Sequence, residues 1–154
     1  MSRTQRRLPV FHPPVFLFGA ILLMVWLHFI FPVLHILHGP WSWTGFFPLF
    51  LGVGVNLLAD QALKRAGTTV KPNEKPTTLI TSGVFQITRH PMYLGFVLIL
   101  LGLGVLLGSL APLIVVPLFM VFLDLTFVRV EENNLSTIFG EKWDLYRSSV
   151  RRWL

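Results

Sequence analysis

The chain contains no cysteine, which excludes disulfides, thiolate metal sites and cysteine nucleophiles at once. Charge is also scarce. Only 13% of residues are Asp, Glu, Lys or Arg, against about a quarter in a soluble globular domain. Acidic residues are the rarer sign, seven against thirteen basic ones, for a net charge of +6. That excess invites a nucleic-acid reading, which fails because the basic residues flank apolar runs of membrane length, where positive charge marks topology. Hydrocarbon replaces charge here: 53% of residues are hydrophobic and 14% aromatic, with a mean hydropathy of +0.66. Lipid is therefore the expected main solvent, and 154 residues suit one domain.

The basic stretch from Met1 to Arg7 leads into an apolar run over Pro13–Leu37. That run is longer and bulkier than a signal-peptide core and reads as an uncleaved first span. A helix needs ~20 apolar residues to cross the hydrocarbon, and Ser42–Leu63 supplies a second such run. The apolar region from Tyr93 to Val128 exceeds one span and is interrupted at Gly108, Ser109, Ala111 and Pro112. It divides into Met92–Leu107 and Leu113–Val128, a helical hairpin with short arms that imply tilting or local thinning of the bilayer. The fold expected is an all-α integral membrane protein of about four transmembrane helices, a single domain over residues 1–154. It has spans near 13–37, 42–63, 92–107 and 113–128, an ordered loop before the hairpin, and a C-terminal amphipathic region over 130–154.

All thirteen Lys and Arg residues fall on one side of this arrangement. Arg3, Arg6 and Arg7 precede the first span. Lys64, Arg65, Lys71, Lys75 and Arg89 separate the second from the third, and Arg129, Lys142, Arg147, Arg151 and Arg152 follow the fourth. The positive-inside rule then puts both termini and the middle loop in the cytoplasm, pointing to a bacterial inner membrane. The loop from Ala66 to Pro91 is punctuated by Gly67, Pro72, Pro76 and Gly83; it is either a tether or an ordered binding segment. In the tail, Leu135, Ile138, Phe139, Trp143, Tyr146, Val150 and Trp153 recur at helical spacing with charges between them. That amphipathic stripe, loosened at Gly140, lies on the lipid interface or folds back over the spans.

The sharpest motif is Arg89-His90-Pro91-Met92-Tyr93-Leu94-Gly95 at the start of the third span. Pro91 suits a first helical turn, where its missing N–H costs nothing. Glu131 and Glu132 sit just past the fourth span. In an antiparallel hairpin the two segments face each other, so a guanidinium, an imidazole, a phenol and two carboxylates line one interfacial pocket. With Thr77-Thr78-Leu79-Ile80-Thr81-Ser82-Gly83-Val84-Phe85 before them, and Phe139-Gly140-Glu141 and Tyr146 after, these motifs resemble the isoprenylcysteine carboxyl methyltransferase family. The similar phospholipid methyltransferases share the pattern, which covers roughly Gly67 to Arg152.

The resemblance implies an S-adenosyl-L-methionine site between the hairpin and the loop before it, with a lipid-like acceptor arriving from the bilayer. Carried over by position, Thr78, Leu79 and Ile80 line the cofactor with backbone groups. Phe85 occupies the family's usual Tyr position, His90, Pro91, Met92 and Tyr93 form the cofactor wall, and Glu131 its polar end. Two positions depart from the family. Phe85 lacks the hydroxyl, and Phe127 stands where the eukaryotic carboxyl methyltransferases carry a substrate-contacting Arg.

The chemistry of the residues agrees. Rings of Phe85 and Tyr93 suit a sulfonium cation, Glu131 or Glu132 an ammonium, and Arg89 or His90 a carboxylate. A carboxylate acceptor needs no general base, whereas an amine or thiol needs one, with His90 or Glu132 as candidates and Arg89 beside them. The acceptor stays open between an isoprenylcysteine-like carboxylate, a lipid amine and a small thiol. Two other functions also stay open: a non-enzymatic four-span protein, and a reductase of the related sterol-reducing branch, although no Gly-rich dinucleotide fingerprint is present.

Lesser candidates have plainer readings beside functional ones. Asp124, an acid inside the fourth span, is functional or hydrated at the helix end. Asn56, Asp60 and Lys64 are an inward polar stripe or a helix-end ion pair. His35 and His38, with no carboxylate or thiolate near in sequence, make a poor metal site. Gly102, Gly104 and Gly108 suit close helix packing, and Trp41, Trp43, Trp143 and Trp153 suit interfacial belts.

Overall fold

The computed structural model describes residues 13–31, 39–67 and 76–154. The expectations for Arg3, Arg6, Arg7, His35, His38, Lys71, Pro72 and Lys75 lie outside them, as does the end of the first run. Every regular element among the described residues is helical. Helix α1 covers Pro13–Ile30; a 3-10 turn over Gly39–Gly45 leads into α2, Phe46–Arg65. After a short 3-10 turn at Gly83–Gln86 come α3, Pro91–Leu107, and α4, Leu110–Leu123. A π turn at Asp124–Val128 joins α4 to α5, Arg129–Phe139, and α6 spans Glu141–Ser149.

Three segments are long and apolar enough to cross a membrane: Pro13–Ile30, Gly39–Arg65 and Leu110–Phe139. The apolar α3 has 17 residues and is the central element, packed on α2, α4 and α1. Its start and stop follow local rules. Pro91 occupies the first turn, and Gly108 closes the helix at φ 69°, a left-handed cap that glycine adopts without strain. The hairpin's second arm differs from expectation at both ends. It begins at Leu110 instead of Leu113, because Pro112 falls in the first turn, where no intrahelical N–H is needed. It also runs on past Val128, since the π turn keeps the backbone hydrogen-bonded where apolar sequence gives way to polar.

Glycine lets α2 and α3 meet backbone to backbone. A Cβ on Gly45 would sit 2.5 Å from the Gly102 carbonyl oxygen, and one on Gly52 2.5 Å from that of Gly95. The seam pairs the start of α2 with the end of α3, so the two helices are antiparallel. Asn56 caps it, donating from Nδ2 to the Gly52 carbonyl at 2.9 Å. Lys64 pairs with Asp60 at the exposed end of α2, the plainer of the two readings.

On the other flank, α1 runs antiparallel to α4. Phe16 meets Phe122 and Phe127 at ring separations of 5.0 and 5.6 Å, and at the opposite end His28 Nδ1 lies 2.8 Å from Ser109 Oγ. The core between them holds Leu17, Met24, Phe96, Leu100, Phe119, Leu123 and Phe127.

The tail folds back instead of lying free. Gly140, at φ 53°, breaks the stripe into α5 and α6. Trp143, Tyr146 and Val150 are buried together, with Leu79, Leu135 and Phe139 against them. Trp143 is thus a core residue, not a member of an interfacial belt, because the loop before α3 supplies the apolar partner it needs. Trp153 packs against the main core, whereas Trp41 and Trp43 remain exposed.

Candidate active site at the polar end of the bundle

The end of α3 that begins at Pro91 and the end of α4 that passes into α5 bring the two sequence motifs together. Tyr93 donates its hydroxyl to Glu131 Oε2 at 3.1 Å. His90 Nε2 lies 3.2 Å from Glu132 Oε1, its Nδ1 is 3.8 Å from Glu131 Oε2, and its ring stacks near Tyr93 at 5.8 Å. Adjacent carboxylates on α5 therefore serve different partners. Glu131 is half-exposed and faces the phenol; the Glu132 side chain is 10% exposed and sits among cations.

Glu132 is the hub of that buried cluster. Arg152 clasps it with two arms, Nη2 to Oε2 at 2.6 Å and Nε to Oε1 at 3.2 Å, the paired geometry that a planar guanidinium forms with a carboxylate. Its remaining arm reaches Asp124 Oδ1 at 3.3 Å, while Arg129 Nε donates to Asp124 Oδ2 at 2.9 Å. The hydrogen bonds that Arg152 donates to Glu132 raise its pKa above its ordinary value. Arg89 Nη1 lies 3.0 Å from Glu132 Oε1, off the hydrogen-bonding direction, so both Nη1 and Nε are buried without a hydrogen-bond partner. Burial lowers the Arg89 pKa, with Glu132 opposing the shift, and the guanidinium rests 5.7 Å over the Trp143 ring.

A strap formed by the tail holds the loop in place. Arg89 N–H donates to the Arg151 carbonyl at 3.1 Å, and Thr88 Oγ1 donates to the Arg152 carbonyl at 2.9 Å. Thr88 Oγ1 also accepts from the His90 N–H at 3.3 Å. The Tyr146 hydroxyl donates to the Phe85 carbonyl at 2.6 Å; burial pushes that phenol up to about 12.

Arg89, His90, Tyr93, Glu131 and Glu132 are thus gathered as the motif spacing requires, with Pro91 buried beneath and Met92 half-buried beside them. The loop residues are placed differently. Thr78 is exposed, Ile80 and Phe85 are half-buried, and Leu79 packs on Trp143 and Tyr146. Asp124 joins the network as an ion-pair acceptor. Sequence reasoning missed Arg152, which it treated as an orienting charge; its place directly before Trp153, the last member of the amphipathic stripe, was the available signal. On the membrane side, Phe127 is fully buried and lies 6.2 Å from the Tyr93 ring, so an aromatic wall stands at this position.

Comparison with known proteins shows the family. A family model described as phospholipid methyltransferase matches residues 41–142. The cobalt-zinc-cadmium resistance protein CzcN of Cupriavidus metallidurans is 31% identical over 105 residues, covering 68% of this chain and 49% of that protein. The protein-S-isoprenylcysteine O-methyltransferase of Schizosaccharomyces pombe is 29% identical over 106 residues, covering 66% of this chain and 44% of that protein. The chain therefore spans about half the length of the curated relatives it matches. No solved structure matches.

Proposed function

Since the chain belongs to the phospholipid methyltransferase family, we propose that it uses S-adenosyl-L-methionine to methylate a lipophilic acceptor at the cytoplasmic face of a membrane. The observation that carries the reading is the Tyr93–Glu131 pair. It places a carboxylate and an aromatic face at the polar end of an apolar bundle, directly beside the buried Phe127 wall. The donor's groups find complements there. Arg89 holds two buried nitrogens without hydrogen-bond partners, which suits a carboxylate. Glu131, only half-buried, suits an ammonium. The His90 and Tyr93 rings, stacked at the mouth, suit a cation.

When bound, the cofactor supplies an electrophilic methyl group on a sulfonium. The chain's own residues orient and enclose. Glu132, clasped by Arg152 and Arg89, fixes the His90 ring; Tyr93 fixes Glu131; Phe127 excludes water on the membrane side. Alignment in a dry site is a large part of what such a displacement needs. With Phe127 where the eukaryotic carboxyl methyltransferases resembled have an Arg, a neutral or amine acceptor is favoured over a prenylcysteine carboxylate, and His90 or Glu132 is the base for an amine. The basic residues at this end of the bundle support the cytoplasmic assignment.

Isothermal titration with S-adenosyl-L-methionine in detergent tests the reading. Micromolar binding that Glu131→Ala abolishes supports it, and a flat titration of a folded sample sinks it. Methyl-labelled cofactor added to membranes then identifies the labelled lipid.

A further inference from the structure

A second polar feature adjoins the candidate active site, sharing Glu132 and Arg152 with its buried cluster but opening on the far side of them from His90 and Tyr93. A cavity of about 250 Å³ opens between α5, α6 and the tail strap, lined by Arg129, Glu132, Asn133, Ser136, Arg147 and Arg152. His90, Tyr93 and Glu131 do not line it. We propose that this cavity binds the headgroup phosphate of an anionic phospholipid, held as a resident lipid and not as the methyl acceptor.

The donors are in place and not fully used. Arg129, Asn133 and Ser136 follow one another at i, i+4 and i+7, on one face of α5. Arg152 commits three N–H groups to Glu132 and Asp124, which leaves two of a guanidinium's five and fixes the plane they lie in. Arg129 gives only Nε to Asp124. Arg147 has Asp144 at 3.9 Å, too far for a hydrogen bond.

Depth separates the signs of charge. The Asp124 and Glu132 side chains are 16% and 10% exposed, whereas those of Arg129 and Arg147 are 60% and 57% exposed. An arriving anion meets guanidinium first, and phosphate is an anion that such forks grip with paired hydrogen bonds. Asp144 is as exposed as Arg147 and tempers the local excess, but it does not line the cavity.

Size and surroundings select the class of ligand. The cavity falls below the roughly 300–1,000 Å³ of sites that enclose a whole small molecule, so it suits a headgroup and not a nucleoside-bearing cofactor. Leu118 and Val121 on α4 and Leu125 in the π turn after it are exposed at i, i+3 and i+7, along the segment that leads to Arg129. That stripe gives acyl chains a surface running up to the cavity, which a free phosphate would not use. Basic pockets at membrane-facing helix ends suit anionic lipids. A zwitterionic lipid would bring its own ammonium among three guanidiniums.

Native mass spectrometry of the full chain, released from maltoside micelles, provides the test. The sample is titrated separately with phosphatidylglycerol, phosphatidylcholine and inorganic phosphate. Retention of phosphatidylglycerol at about tenfold lower concentration than phosphatidylcholine is expected, with loss of about fivefold per arginine removed in Arg147→Gln and in the Arg129→Gln, Arg147→Gln double variant. Arg147→Gln alters only an exposed side chain, so its thermal midpoint should not move, and loss of lipid is then not loss of fold. Equal retention of the two lipids, an unchanged preference in the double variant, or inorganic phosphate binding as tightly as phosphatidylglycerol overturns the proposal. None of these readouts depends on methyl transfer.

Discussion

Replacing Arg152 by Gln is the most direct probe of the buried cluster. The substitution removes three hydrogen-bonding arms, two to Glu132 and one to Asp124, and leaves the strap intact, because Thr88 bonds the Arg152 backbone carbonyl. Breaking a fully buried ion pair from one side costs about 3–5 kcal/mol, and breaking an exposed one about 0–1 kcal/mol. Here the Arg152 side chain is 36% exposed and that of Glu132 10%, and Glu132 keeps Arg89 and His90. The cost should fall between the two limits, at about 2 kcal/mol, or a fall of ~4–8 °C in thermal midpoint for a chain of this size. Tryptophan fluorescence melts in micelles read that shift. A double-mutant cycle with Glu132→Gln should show a coupling of about 1–2 kcal/mol. Arg152→Lys should recover less than half the loss, because an ammonium cannot form the paired contact. If the single changes add within about 0.5 kcal/mol, the clasp is not an energetic unit and the reasoning fails.

Four other outcomes follow from the same structure. Tyr146→Phe should cost about 1–2 kcal/mol through the lost bond to Phe85 and an orphaned carbonyl. Because burial pushes the Tyr146 phenol up to about 12, its contribution is complete below the unfolded value near 10 and is lost as pH rises towards 12. Melts above pH 10 should therefore show a decline that Tyr146→Phe reduces. Gly52→Ala should destabilise by about 1–3 kcal/mol, since its Cβ meets the Gly95 carbonyl and Ile99 N, whereas Gly54→Ala, with open space around it, should melt like the parent. Phe127→Arg introduces the residue of the eukaryotic carboxyl methyltransferases resembled, but the position is fully buried against Phe16 and Phe122. An uncompensated charge there should cost more than about 3 kcal/mol and abolish folded protein without conferring carboxylate methylation. Methylation of a prenylcysteine by a folded Phe127→Arg sample would contradict that view.

The sequence reveals this site unevenly, for physical reasons. Arg89-His90-Pro91 is readable because proline fixes a helix start and so locates Tyr93 one turn within it. Glu131 and Glu132 are readable as a pair, but not as two different groups. Which carboxylate meets the phenol depends on helix rotation, and the π turn at Asp124–Val128 resets that rotation inside an apolar run with no periodic mark. The amphipathic tail shows that a face must be covered without naming the cover. Leu79, the Thr88 hydroxyl and the Arg89 N–H supply it from far away in the sequence, which is why Trp143 looked like a belt residue and Arg152 like an orienting charge. The start of the hairpin's second arm slipped because Pro112 falls within a first turn, a position at which proline starts a helix as readily as it stops one.

The glycine seam between α2 and α3 also governs how the molecule can deform. At Gly45, Gly52 and Gly102 a Cβ would meet the partner helix's backbone within 2.6 Å, and at Gly95 the Asn56 amide, so the pair has little space in which to shift. Across the molecule, α1 meets α4 through rings, Phe16 on Phe122 and Phe127, and rings can turn where carbonyls cannot. The compliant flank is therefore α1–α4, the side on which Phe127 backs the candidate active site. Tethering α1 to α4 should halt passage of a lipid-sized acceptor, while tethering α2 to α3 should leave turnover intact; the reverse pattern would put the doorway in the seam. A chain without a single native thiol allows such paired cysteines to be introduced with no background.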